Sequence, residues 1–137
     1  MPKFSPRSLN KLHTCHPLLQ EWARAVVRKV DCTVVCGHRS RRDQNQAFKD
    51  GNSEKKWPDS DHNVMPSNAI DLAPHIAGKG IIKDPAQCAF FARQALKIAE
   101  AMGIDIGWCG DWDGDGDLTD QKLRDFWHFW LKSKKEA

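Results

Sequence analysis

The chain has 137 residues, 40% of them apolar and 28% charged, with a formal net charge of +3. That length suggests one domain, residues 1–137, large enough for a core without staples, since a chain of about 150 residues buries roughly 68–70% of its unfolded surface. No apolar run approaches about 18 residues, which argues against a membrane-spanning helix. Basic residues gather at Arg39, Arg41 and Arg42, at Lys55 and Lys56, and from Lys132 to Lys135. They read as a solvated face with at most weak attraction to a polyanion such as a cell wall. No helix-turn-helix, zinc-finger or RNA-binding signature is present, so no nucleic-acid partner is expected.

In chain order, Met1-Pro2-Lys3-Phe4-Ser5-Pro6 lacks the apolar core of a signal peptide, which predicts a protein made and held in a cytoplasm. Ser5-Pro6 starts a short helix, with serine as cap and proline in the first turn. A second helix follows His16-Pro17, with Leu18, Leu19, Trp22, Ala25, Val26 and Val30 at helical spacing. Cys32 to Gly37 is β-branched and reads as a buried strand. Ser40, with Asp43 three residues on, caps a helix that ends near Asp50-Gly51.

Residues 51–67 are polar and turn-rich and form a long loop, a place where function concentrates. Ala69 to Ala73 is a strand fed by that loop. Asp84-Pro85 opens a helix over 85–102, lined on one side by Cys88, Ala92, Ala95, Ala99 and Met102 and closed by Gly103. Ile104 to Trp108 is a strand, 109–122 an acidic, glycine-rich loop, and Phe126 to Leu131 a final strand. The expected class is α+β: a small antiparallel sheet with several helices packed around it and the candidate ligands on the sheet face.

Five cysteines, Cys15, Cys32, Cys36, Cys88 and Cys109, are an odd number with no pair at the two-residue gap of a zinc-thiolate site. They read as buried reduced thiols, Cys32 and Cys36 on one face of their strand.

His62, Asp71 and His128 carry the chemistry. Two imidazoles and a carboxylate suit zinc, and three protein ligands leave one position open for water or substrate, the pattern of a catalytic site. Asp125, three residues before the last ligand, is placed to act as general base.

The phrase Ser60-Asp61-His62 … Ala69-Ile70-Asp71 resembles the Ser-x-His … Ala-x-Asp motif of the zinc-dependent LD-/DD-peptidases that cut bacterial cell-wall stem peptides. Asp125-x-x-His128 resembles that family's acidic-x-x-His motif, and Gly37-His38-Arg39-Ser40 … Gln44 its Gly-x-Arg-Ser … Gln segment. The N-terminal Phe-Ser-x-Arg-Ser-Leu and the Gly110-Asp111-Trp112-Asp113 region resemble the phage endolysin branch, whose members are L-alanyl-D-glutamate peptidases. The resemblance implies His62, Asp71 and His128 as zinc ligands and Asp125 as general base. It implies Arg39 as the group holding substrate or the developing oxyanion, with Gln44 as a helper near Arg39 and Ser60 as a support of the ligand loop. The family's usual proline before the last histidine and acidic residue two after it are here Trp127 and Trp130, a change that bears on the substrate cleft.

Asp111, Asp113 and Asp115, with Gly116 and Asp117, match the start of an EF-hand calcium loop. Position 12 of such a loop is Lys122, with Asp120 as a candidate replacement, so a Ca2+ site and a solvated acidic turn both stay open. Of the other histidines, His75 is expected at the surface or behind the site, and His13 and His16 without a chemical role. The expectation is a monomeric zinc peptidase of peptidoglycan, stored in a host cytoplasm until lysis. A D-alanyl-D-alanine carboxypeptidase or dipeptidase of the same family, a non-catalytic metal-binding module and a calcium-binding interaction domain are the competing readings.

Overall fold

A computed structural model describes residues 3–51, 53, 55–108 and 126–132. Helix α1 spans Pro6–Leu12, and the Ser5 side chain accepts from the amide of Ser8. Helix α2, Pro17–Lys29, starts at His16, whose ring Nδ1 accepts from Leu18 N at 3.1 Å, so this histidine is a helix cap. Its buried stripe is Leu19, Trp22, Ala23, Val26 and Val27; Ala25 lies off it. Helix α3 spans Arg41–Lys49, capped by Ser40 through the amide of Asp43. Helix α4 spans Pro85–Met102, from an Asp84 cap to Gly103 in the left-handed conformation at φ 73°.

The strands are β1 Cys32–Cys36, β2 Ala69–Ile76, β3 Gly80–Ile81, β4 Ile106–Trp108 and β5 His128–Leu131. They form one antiparallel sheet in the order β1-β2-β5-β4, with β3 on the far end of β2. This is the expected α+β class. Strand β2 runs past Pro74, and its hairpin with β3 lies beyond the strand expected over 69–73. The last two strands are shorter than expected, because Phe126 and Trp127 form a helical turn before β5 and Asp105 precedes β4.

One face of the sheet packs Val34, Ile70, Leu72, Ile106, Phe129 and Leu131 against α2 and α4. Trp22 stands at its centre: the ring lies 5.1 Å from Phe129, and the indole N–H donates to Ala95 O at 2.8 Å. The buried indole donor of Trp22 is therefore met. Met102 is 38% exposed, not core: the chain reverses at Gly103 and the packing passes to Ile104.

Alternation sends the intervening residues, Asp71, His128 and Trp130, to the opposite face. In β1 the register slips between Val34 and Cys36, which brings Cys36 opposite Asp71. This bulge undoes the expected shared face of the two thiols. Cys32 is buried in the core, whereas Cys36 is half-buried and faces Arg39. Cys15 and Cys88 are buried as expected, and Cys109 lies outside the described residues.

Candidate metal centre

Asp71 on β2 and His128 on β5 are cross-strand partners, so pairing alone sets their side chains next to each other. His62 arrives from the loop before β2, in a single helical turn over Asp61–Asn63. Ser60 caps that turn. Its hydroxyl accepts from His62 N at 3.2 Å, while the Asn63 side chain accepts from Ser60 N at 3.0 Å. The backbone of Arg39 ties the turn to the sheet by donating to His62 O at 2.8 Å.

The three ligand atoms form an equilateral triangle. His62 Nε2 is 3.2 Å from His128 Nδ1 and 3.2 Å from Asp71 Oδ1, and His128 Nδ1 is 3.2 Å from the same oxygen. Ligands about 2.0 Å from a tetrahedral ion stand about 3.3 Å apart, so the triangle is the right size for one small cation bound to all three. The rear of His62 is also prepared: Nδ1 lies 2.7 Å from Gly37 O. Donation to that carbonyl selects the tautomer whose Nε2 lone pair points into the triangle. Two nitrogens and one carboxylate oxygen fit zinc.

Electrostatics follow from burial and proximity. Burial alone would pull the His62 imidazole down, but the Asp71 carboxylate and the ring's hydrogen bonds to Asp71 and Cys36 prevail, and it is pushed up to about 10. Burial would raise Asp71, yet His62 and His128 beside it hold its carboxyl well below the usual carboxylate range. Without a metal the site therefore holds a proton on His62 against the Asp71 charge.

Arg39 stands at the edge of the triangle, its Nη2 3.7 Å from Asp71 Oδ2. Its other guanidinium nitrogen donates to Gln44 Oε1 at 2.9 Å. Gln44 is fully buried on α3 and fully used. Its oxygen also accepts from Asn63 Nδ2 at 3.1 Å, and its Nε2 donates to Ser53 Oγ at 2.8 Å and Lys55 O at 2.6 Å. Ser60, Asn63, Gln44 and Arg39 are thus one hydrogen-bonded chain running from the ligand turn to the guanidinium. Asn63 is the member that sequence reading missed, although its place three residues after Ser60 is a capping-box spacing. Cys36, also missed, accepts from Arg39 Nη2 at 3.7 Å. His75 pairs with Asp31 at 3.0 Å, half-exposed and outside the triangle. Asp125 and the acidic loop with Asp111, Asp113, Asp115, Asp117 and Asp120 lie outside the described residues.

These features define an α+β protein with a His-Asp-His triad that could hold a metal ion on one face of an antiparallel sheet. A family model described as phage L-alanyl-D-glutamate peptidase matches residues 1–130, and the chain belongs to that family. Among curated relatives, the L-alanyl-D-glutamate peptidase of Escherichia phage T5 is 31% identical over 125 residues, which span 89% of this chain and 90% of the relative. The crystal structure of the Serratia marcescens L-Ala D-Glu endopeptidase ChiX superposes with a TM-score of 0.73 at 26% identity, covering 95% of this chain and 90% of that one.

Proposed function

We propose that this chain is a single-domain zinc endopeptidase that hydrolyses the L-Ala–D-Glu bond of peptidoglycan stem peptides during phage lysis of the host. Family membership across residues 1–130 supports the reaction. The observation that carries the metal is the triangle of donor atoms, 3.2 Å on each edge, with one ring already turned by Gly37 O.

Zinc, when bound, supplies Lewis-acid polarisation and brings the pKa of water toward about 7. The protein's own groups do the rest. Asp71 adds the charge that favours a cation between two neutral imidazoles. Arg39, held by Gln44, offers a fixed guanidinium to the carbonyl oxygen as negative charge builds on it, worth most in a water-poor cleft. Asp125, in this reading, takes the proton of the attacking water and delivers it to the departing amine of D-Glu. The products are a free carboxylate on L-Ala and a free amino group on D-Glu. In this role the enzyme works as a monomer, held in the host cytoplasm until another factor opens the membrane.

A defined stem peptide carrying both an L-Ala–D-Glu bond and a C-terminal D-Ala-D-Ala tests the bond assignment by product mass. Release of L-Ala from the remainder supports it. Release of D-Ala moves the assignment to a carboxypeptidase.

A further inference from the structure

We infer that Trp130, seated on Gly107, is a positioning residue that fixes the imidazole of His128. The inference rests on the reading of His62, Asp71 and His128 as metal ligands.

The two imidazoles of the triangle are held differently. His62 is locked from behind by the carbonyl of Gly37, 2.7 Å from Nδ1. Among the described residues, nothing meets the Nε2 of His128. Rotation about the last bond of a histidine is broad, so what packs beside the ring helps to set it. Beside His128 lies Trp130, two residues on along β5 and therefore on the same face. Their ring centroids are 6.0 Å apart, and the planes are stacked at 23°.

Trp130 is itself held at an unusual seat. Its cross-strand partners are Gly107 on β4 and Ala69 on β2, the two smallest residue types. The indole lies directly over Gly107: a Cβ added there would meet Cε2 at 2.5 Å and Cζ2 at 2.4 Å. No real side chain tolerates that approach, so any residue but glycine lifts the indole off the strand. Gly107, Trp130 and His128 thus form a stack that starts at the backbone of one strand and ends at a ligand ring. Disturbing the base of the stack shifts the ring at its top.

The test is zinc affinity, read by competition with a chromophoric chelator, together with the absorption spectrum of the Co2+-loaded protein. The proteins are wild type, Trp130→Ala, Trp130→Phe, Gly107→Ala and the Gly107→Ala/Trp130→Ala double variant, each also melted without metal to separate folding from binding. Trp130→Ala and Gly107→Ala are expected to weaken zinc roughly tenfold, the scale of losing an outer support of a ligand. Both should alter the Co2+ bands, and Trp130→Phe should restore affinity and spectrum. In the Trp130→Ala background, Gly107→Ala should cost nothing further, since the indole it displaces is gone. If Trp130→Ala does not fold, Gly107→Ala and Trp130→Phe carry the comparison. Wild-type zinc affinity in Gly107→Ala, or additive losses in the double variant, overturns the inference while leaving the metal centre intact. A wild-type protein that binds no zinc overturns the metal centre and this inference with it.

Discussion

The carbonyl of Gly37 sits 2.7 Å behind His62 Nδ1, and the same glycine is wedged against the end of α1. A Cβ at residue 37 would meet Lys11 O at 2.5 Å, Thr14 Oγ1 at 2.4 Å and Cys15 Sγ at 3.0 Å. One residue thus explains the glycine that opens the Gly-x-Arg-Ser segment: it lets α1 close on β1 and aims a backbone acceptor at a ligand. Gly37→Ala is expected to destabilise the fold by about 1–3 kcal/mol, the usual cost of overpacking. It should weaken metal binding as well. Urea unfolding of the metal-free protein and a zinc titration check both parts; an unchanged midpoint would contradict the packing argument.

Gln44 makes four hydrogen bonds with no exposure to water. Gln44→Leu keeps the volume and removes all four. Stability should fall by about 1–3 kcal/mol, because Asn63 Nδ2 loses an acceptor in a buried setting. Released from Gln44, the Arg39 guanidinium should cost the enzyme about 10- to 100-fold in kcat/KM while one zinc per chain is retained. Metal analysis alongside steady-state kinetics separates the two effects. Loss of the metal itself would show that Gln44 supports the ligands and not the arginine.

Asp125→Asn removes a proton acceptor but keeps the size and polarity of the side chain. If Asp125 is the general base, kcat should drop about 10²- to 10⁴-fold with zinc content unchanged. Full activity in this variant would remove Asp125 from the mechanism.

The charges of the triangle predict how stability moves with pH. His62 is raised from its ordinary 6.5 to about 10 in the metal-free protein, so its contribution is present below pH 6.5 and is lost as pH climbs toward 10. Asp71 is lowered from 3.8, so its contribution is present above that pH and is lost as pH falls below it. The pair therefore stabilises the metal-free chain most between pH 3.8 and 6.5. Zinc must displace the proton on His62, so its binding strengthens with pH. Melting curves in chelator and in zinc should diverge progressively as pH rises from 6.5 toward about 10, where His62 gives up its proton without help from a metal. A gap independent of pH would contradict this coupling.

Elements governed by local chemistry were legible in the sequence, and those governed by pairing were not. The caps at Ser5, Ser40 and Asp84, and the glycine closing α4, need only neighbours in the chain, and they fall where the sequence predicts them. The donor types and spacing of His62, Asp71 and His128 likewise named side chains that the sheet brings within reach of one another. The bulge that turns Cys36 toward Arg39 depends on register against β2, which no local pattern encodes. The continuation of β2 through Pro74 depends on register too. A proline cannot donate to a ladder and reads as a stop, but Pro74 lies opposite Cys32, at the very start of β1. The Gly37 carbonyl was invisible for a different reason: it is backbone, and only the approach of two segments 25 residues apart makes it a partner of His62.

The central claim is that the His62, Asp71 and His128 triangle drives cleavage of the L-Ala–D-Glu bond. Purified peptidoglycan should be digested with the protein as isolated, after exhaustive chelation, and after zinc is restored, with the soluble products read by mass spectrometry. New D-Glu amino termini that appear, vanish with the chelator and return with zinc are the predicted result. No new termini from protein that carries one zinc per chain would contradict it and leave a metal-binding module without this activity.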